Sequence, residues 1–210
     1  YSSIGHPEVL STYTNLSICC ISRGDYPRAI KYSELALSVL QKSQKKEDVN
    51  YISVYNTIGA AYAEMGDHSR AIDYLRSAAD YVVQLGMGSE VAATVYTNIG
   101  VNYFRQGKDS LARYYYELGI GLLESRPDDA NAKFILSGIY IHLGGVFLSE
   151  KNFGEASNCQ RRSLQLLEEL PEQEKLGLAK ADIYTNMGLS YTLIEDYEKA
   201  IRFHRQALEA

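Results

Sequence analysis

The 210-residue chain is predicted to be all-α: a right-handed α-solenoid of five helical-hairpin repeats stacked into a single superhelical domain. Three observations predict this. A skeleton of tyrosine, two residues, an aliphatic side chain and a small residue recurs as Tyr13-x-x-Leu16-Ser17, Tyr55-x-x-Ile58-Gly59, Tyr96-x-x-Ile99-Gly100, Tyr140-x-x-Leu143-Gly144 and Tyr184-x-x-Met187-Gly188. Twelve residues after each small residue stands an alanine: Ala29, Ala71, Ala112, Ala156 and Ala200. The small residues are 42, 41, 44 and 44 positions apart, and units of that size bury their apolar faces only against one another. The repeats run approximately over 8–42, 47–85, 89–126, 128–170 and 172–210.

The second repeat shows how one unit folds. Tyr55, Ile58, Gly59 and Tyr62 fall at i, i+3, i+4 and i+7, one face of a helix. Gly66-Asp67 then supplies a turn residue and an N-cap. Ala71, Ile72, Leu75 and Ala78 resume the helical spacing, and Gly86 and Gly88 are expected to end the second helix in left-handed conformations. The first repeat turns at Gly24-Asp25 and the third at Gly107-Lys108. In the fourth and fifth repeats, Lys151-Asn152 and Glu195-Asp196 occupy the turn without glycine. Small residues recur because two helices approach to about 8 Å only where side chains are short. Gly59, Ala71 and Ala78, Gly100, Ala112 and Gly119, or Gly188, Ala200 and Ala207 supply that contact. The stretches from Asp128 to Phe134 and from Glu172 to Leu176 begin with acids suited to a helix N-terminus and are expected to lengthen the first helices of the last two repeats.

Composition narrows the function. A chain 46% hydrophobic and 22% charged is ordinary for a folded protein. A net charge of −5 without a basic cluster gives no footprint for a phosphate backbone, so nucleic acid is not an expected direct partner. Cys19, Cys20 and Cys159 form no ladder of spacings and read as reduced core thiols, which favours a cytoplasmic setting. No run approaches the ~18 consecutive apolar residues of a membrane span. Because the sequence starts at Tyr1 without methionine and stops within a helical pattern, it is read as a fragment of a longer protein.

These residues resemble the tetratricopeptide repeat, whose motif is an aromatic residue, leucine-glycine, a tyrosine three further on, alanine, an aromatic, another alanine and a closing proline. The match covers nearly the whole chain. Tyr62, Tyr103 and Tyr191 take the tyrosine place, Phe147 substitutes, and Cys20 departs from it. The later aromatic place departs more, being held by Ser33, Leu75, Tyr116, Gln160 and His204. Pro127 and Pro171 lie three residues beyond the motif's proline, about one helical turn. Long-helix repeats of this kind look like those of kinesin light chains, spindle-orientation adaptors and bacterial peptide-pheromone sensors. The resemblance implies a peptide or protein ligand on the concave face lined by the first helices.

Counting from each motif glycine gives the inward face that the resemblance implies. Two before it stand Asn15, Thr57, Asn98, His142 and Asn186. An asparagine carries both a donor and an acceptor and so can hold the N–H and C=O of an extended peptide together. A second reading of this ladder is a family residue on solvated helix surface. One after the glycine are Ile18, Ala60, Val101, Gly145 and Leu189; one turn further come Ile21, Ala63, Phe104, Leu148 and Thr192. This apolar floor marks an interaction site, or a surface covered by a flanking helix of the longer chain. Glu64 and Arg105 occupy equivalent places and can pair with each other. Ser11, Thr14, Ser53, Asn56, Thr94 and Thr97 stand where chaperone-tail-binding arrays carry a basic carboxylate clamp, so that ligand is not expected. The candidate peptide-binding residues are Asn15, Asn56, Asn98, His142, Asn186, Val101, Phe104, Arg105, Leu148 and Leu189.

The sequence offers no constellation that points to catalysis or metal binding. His6, His68, His142 and His204 fall in separate repeats with no metal-ligand spacing. Gly86-x-Gly88 and Gly119-x-Gly121 lack the strand-turn-helix setting of a phosphate loop. Neither a nucleophile-base arrangement nor a cofactor is implied. Most of the eighteen tyrosines sit where helices pack, and of Tyr114, Tyr115 and Tyr116 at least one should reach solvent. The expected function is a non-catalytic protein-interaction module. The alternative is a sensory domain whose ligand controls an attached output domain such as a transcription regulator or kinase. Self-association through the uncapped last repeat, around Ile201 and Leu208, is a further use of the fold.

Overall fold

The computed structural model describes residues 7–43, 48–125, 129–170 and 177–209. Among them run ten helices: α1 (Pro7–Ser22), α2 (Tyr26–Lys42), α3 (Asn50–Glu64), α4 (His68–Gln84), α5 (Ser89–Arg105), α6 (Asp109–Leu123), α7 (Ala130–Ser149), α8 (Phe153–Glu168), α9 (Gly177–Leu193) and α10 (Tyr197–Glu209). The described residues contain no strand. The fold is therefore an all-α solenoid of helical hairpins. It divides into two compact units, one ending at Gln106 and the other starting at Gly107. In the first unit α1 through α5 pack each on the next; in the second, α6 through α10 do so.

Each hairpin turns by the same device, whatever its sequence. Gly24, Gly66 and Gly107 take φ of 73°, 82° and 70°, and Lys151 and Glu195 take 60° and 62° at the equivalent places. In the second repeat the Asp67 N–H then reaches back to the Tyr62 carbonyl at 2.9 Å, closing α3 while Asp67 opens α4. The Asn152 N–H does the same to Phe147 at 2.8 Å and Asp196 to Tyr191 at 3.0 Å. The side chains of Asp25, Asp67 and Asn152 each accept from the backbone N–H three residues on, and Asp129 caps α7 by accepting from Ala132. The expectation for Gly88 is corrected: only Gly86 is left-handed, with φ 59°, whereas Gly88 is extended at φ −60° as the residue before α5. Pro127, Asp128, Pro171 and the stretch from Glu172 to Leu176 lie outside the described residues.

The small residues sit where helices cross. A β-carbon on Gly59 would lie 2.8 Å from Leu75 Cγ and 3.2 Å from the Ala71 carbonyl oxygen, so α3 and α4 touch through this glycine. In the first repeat Ser17 replaces glycine, and its hydroxyl lies 2.8 Å from the Ala29 carbonyl and 2.7 Å from the Ser33 hydroxyl. Leu16 departs from its counterparts: Ile58, Ile99, Leu143 and Met187 are buried, but Leu16 is 39% exposed, no described helix covering that side of α1.

Tyrosines fill much of the packing. Tyr51, Tyr62, Val54, Ile58, Leu10, Val39 and Leu40 form one core, with Tyr13, Tyr55, Tyr74 and Tyr81 against it. The Tyr51 and Tyr81 rings stack at 4.6 Å and those of Tyr62 and Tyr74 at 5.5 Å, contacts each contributing about 0.5–1.5 kcal/mol beyond burial. In the second unit Leu167, Leu170, Ile183 and Met187 make a core on which Tyr184 and Phe203 pack. Tyr116 is fully buried and Tyr114 is exposed. Among the described residues α7 is long and apolar enough to cross a membrane by length and composition. It packs on α8, burying Leu136, Ile139, Leu143 and Val146.

Candidate functional site

In the first unit the first-helix face is built from α3 and α5, with α4 beneath. Ala60 and Ala63 on α3, Leu75 on α4 and Val101 on α5 floor a cavity of about 140 Å³. Glu64, Asn98, Asn102 and Arg105 complete its wall. Alanines at 60 and 63 leave this space because a methyl group is all that projects from α3 there, while the Gly59 crossing brings Leu75 up from below. The Asn98 amide donates to Asn56 Oδ1 at 2.9 Å, bridging α5 to α3. Arg105 and Glu64 pair at 3.7 Å, both about half exposed; such a pair contributes about 0–1 kcal/mol and leaves that rim without a net charge.

Below the rim the polar groups continue inward. Asn102 is only 3% exposed. Its side-chain amide donates to the main-chain carbonyl of Asn98 at 2.9 Å, and its Oδ1 lies 3.0 Å from His68 Nδ1 on the first turn of α4. One turn on, the Gln106 amide donates to the Ser69 hydroxyl at 3.2 Å. Arg76 donates to the Tyr103 hydroxyl at 2.6 Å, tying α4 to α5 from the other side.

The predicted residues therefore meet unequally. Asn56, Asn98, Val101 and Arg105 converge with Ala60, Ala63 and Glu64 on one cavity and its rim. Phe104 is half-buried on the same helix and does not line the cavity. Asn15 is exposed on α1. The ladder is broken at Thr57, which is buried and turns its hydroxyl back to the Ser53 carbonyl at 2.8 Å; Asn56 faces Asn98 in its place. In the second unit His142 lies stacked on the Tyr116 ring at 5.8 Å. The Asn186 carbonyl accepts from Gln160 at 3.1 Å, so a buried second-helix side chain reaches that turn of α9. Leu148 is half-buried and Leu189 exposed.

Counting from the glycine overlooked His68 and Asn102. The readable signal was Asn102 itself, a polar residue two beyond the motif glycine, where the second and fourth repeats place the buried Ala61 and Val146. His68 carried no such mark, since its role follows from where α4 starts.

The profile of the tetratricopeptide repeat family matches residues 8–82 and 136–210. The chain is 24% identical over 186 residues to the protein KINESIN LIGHT CHAIN-RELATED 1 of Arabidopsis thaliana, covering 88% of this chain and 30% of that one. It thus spans about a third of that relative's length. Its fold superposes on BtubC (BKLC) from P. vanneervenii with a TM-score of 0.80 at 19% identity, covering 95% of this chain and 78% of the other. It also superposes on the Rap conjugation gene regulator of plasmid pLS20, solved with the Phr* peptide, at a TM-score of 0.75 and 17% identity, covering 95% and 52%.

Proposed function

The chain belongs to the tetratricopeptide repeat family, and from that premise we propose that it is a non-catalytic protein-interaction module holding an extended partner segment against the first helices of its repeats. The observation that carries this reading is the cavity of about 140 Å³ floored by Ala60, Ala63, Leu75 and Val101, with Asn56 and Asn98 bonded across its edge. The hollow opens to solvent between an apolar floor and a polar wall, and a volume of about 140 Å³ suits the entry of a single leucine- or phenylalanine-sized side chain. Beyond the Asn56–Asn98 bond, the Asn98 amide retains one N–H and a carbonyl oxygen for the backbone of the segment. The segment's own charges add little here, because Glu64 and Arg105 already neutralise each other.

Selection from a random peptide library of about twelve residues tests this. Selected peptides are expected to share one leucine- or phenylalanine-sized residue. Ala63→Leu, which fills the cavity, is expected to weaken them more than about tenfold, a loss of about 1.4 kcal/mol, with thermal stability unchanged. Equal affinity for Ala63→Leu would remove the cavity from the account.

The likeness to the Rap regulator, whose structure holds the Phr* peptide, supports the regulatory variant of the same reading, in which the bound segment controls an output domain elsewhere in a longer protein. A cytoplasmic setting is proposed as well: Cys19, Cys20 and Cys159 are free thiols, though Cys19 is exposed rather than in the core as the sequence led one to expect, and burial pushes the Cys159 thiol up to about 12, far from reactivity.

A further inference from the structure

His68 stands on the second helix of its repeat, away from the face that the family register marks, and yet hydrogen-bond logic connects it to Asn98. A buried amide must satisfy both its ends. The main-chain carbonyl of Asn98 can only accept, so the Asn102 NH₂ group must face it, at 2.9 Å. The other end of the amide, Oδ1, then faces His68 Nδ1 at 3.0 Å. Oδ1 can only accept as well, so the proton between them belongs to Nδ1. With the proton on Nε2 instead, two lone pairs would oppose each other inside a residue that is 3% exposed.

We infer that His68 is a positioning residue for the ligand-facing amides of α3 and α5, held as the Nδ1–H tautomer through its bond to Asn102. This rests on the reading of that face as the binding surface. His68 and Ser69 dock the start of α4 onto successive turns of α5 through Asn102 and Gln106. The Asn102 amide holds the turn of α5 from which Asn98 projects, and the Asn98 side chain crosses to Asn56 on α3. His68 thus acts on the rim through Asn102 and touches no ligand itself. The polar column reads His68, Asn102, Asn98, Asn56 from the second helix outward.

Nuclear magnetic resonance on the full chain without any peptide tests this, so failure of the binding reading and failure of this inference remain separable. At about pH 8, above the ordinary histidine range, the ¹⁵N spectrum is expected to show His68 protonated on Nδ1 and bare on Nε2; a proton on Nε2 overturns the inference. His68→Leu is expected to shift the side-chain amide resonances of Asn98. His68→Asn, which keeps an N–H near the place of Nδ1, should return them to their wild-type positions. A merely structural histidine would lower the melting temperature in His68→Leu and leave the Asn98 amide where it was, which also overturns it. Should His68→Leu fail to fold, the wild-type tautomer and the His68→Asn spectrum decide the matter.

Discussion

In the unit ending at Gln106, Asn56 and Asn98 meet at 2.9 Å beside a cavity floored by Leu75. In the unit starting at Gly107, the same register places His142 against the Tyr116 ring and gives the Asn186 carbonyl a bond from Gln160. Leu75 and Gln160 are equivalent: each lies sixteen residues after its motif glycine. One is short, branched and apolar, and a glycine β-carbon would strike it at 2.8 Å. The other is long and polar, and the corresponding β-carbon on Gly144 would find its nearest neighbour, Cys159 Cβ, at 3.5 Å. The repeat fixes where a helix face points, while the residue beneath the glycine differs between the units, an apolar side chain under a hollow in one and a polar tie to the next helix in the other.

The glycines offer the largest test of this difference. Gly59→Ala must push Leu75 and the Ala71 carbonyl apart and is expected to cost about 1–3 kcal/mol in chemical denaturation. Gly144→Ala meets ordinary van der Waals distances and is expected to stabilise by about 0.5–1 kcal/mol through helix propensity. Equal losses at both sites would mean that the two crossings do not differ.

The turns give a smaller contrast. Lys151 and Glu195 hold left-handed φ that glycine holds at Gly24 and Gly66. Lys151→Gly and Glu195→Gly are each expected to raise stability by about 1 kcal/mol, whereas Gly66→Ala lowers it by about 1–2. A melting series on the three variants checks the signs.

Alkali should act least. Burial first, then the nearby Tyr81, raises Tyr51 and Tyr55 above the ordinary tyrosine range, and burial raises Tyr74 as well. A folded-state pKa above the unfolded one means a contribution fully present below about pH 10. It is lost as pH climbs through the folded values. Melting followed from pH 8 to 11 should fall only above about pH 10, and modestly, since solvent screens the partly exposed Tyr55 and Tyr74 rings. A fall beginning near pH 8 would have another source.

How much of this was legible follows the same division. Helix order, the turn places and the burial of Ala29, Ala71, Ala112, Ala156 and Ala200 come from spacing alone, because backbone geometry repeats wherever small residues do. That turns fall at Lys151 and Glu195 followed from their place in the period; that both take glycine's left-handed φ did not, since their side chains argue against it. The ladder was legible as a register and misread at Thr57, whose hydroxyl found a carbonyl within its own helix. Asn102 and His68 escaped because their partnership joins residues 34 positions apart on different helices. No periodic count reports which of two polar groups will face the other across a crossing.

Where a partner segment binds can be read from amide chemical-shift mapping with a library-selected peptide, and the proposed place is the face of α3 and α5 around the cavity. Shifts are expected to concentrate at Ala60, Ala63, Asn98 and Val101, with Asp73 and Asp80 on the exposed side of α4 unmoved. Shifts centred on Asp73 and Asp80, or on the exposed Ile201 and Leu208 of α10, would contradict it.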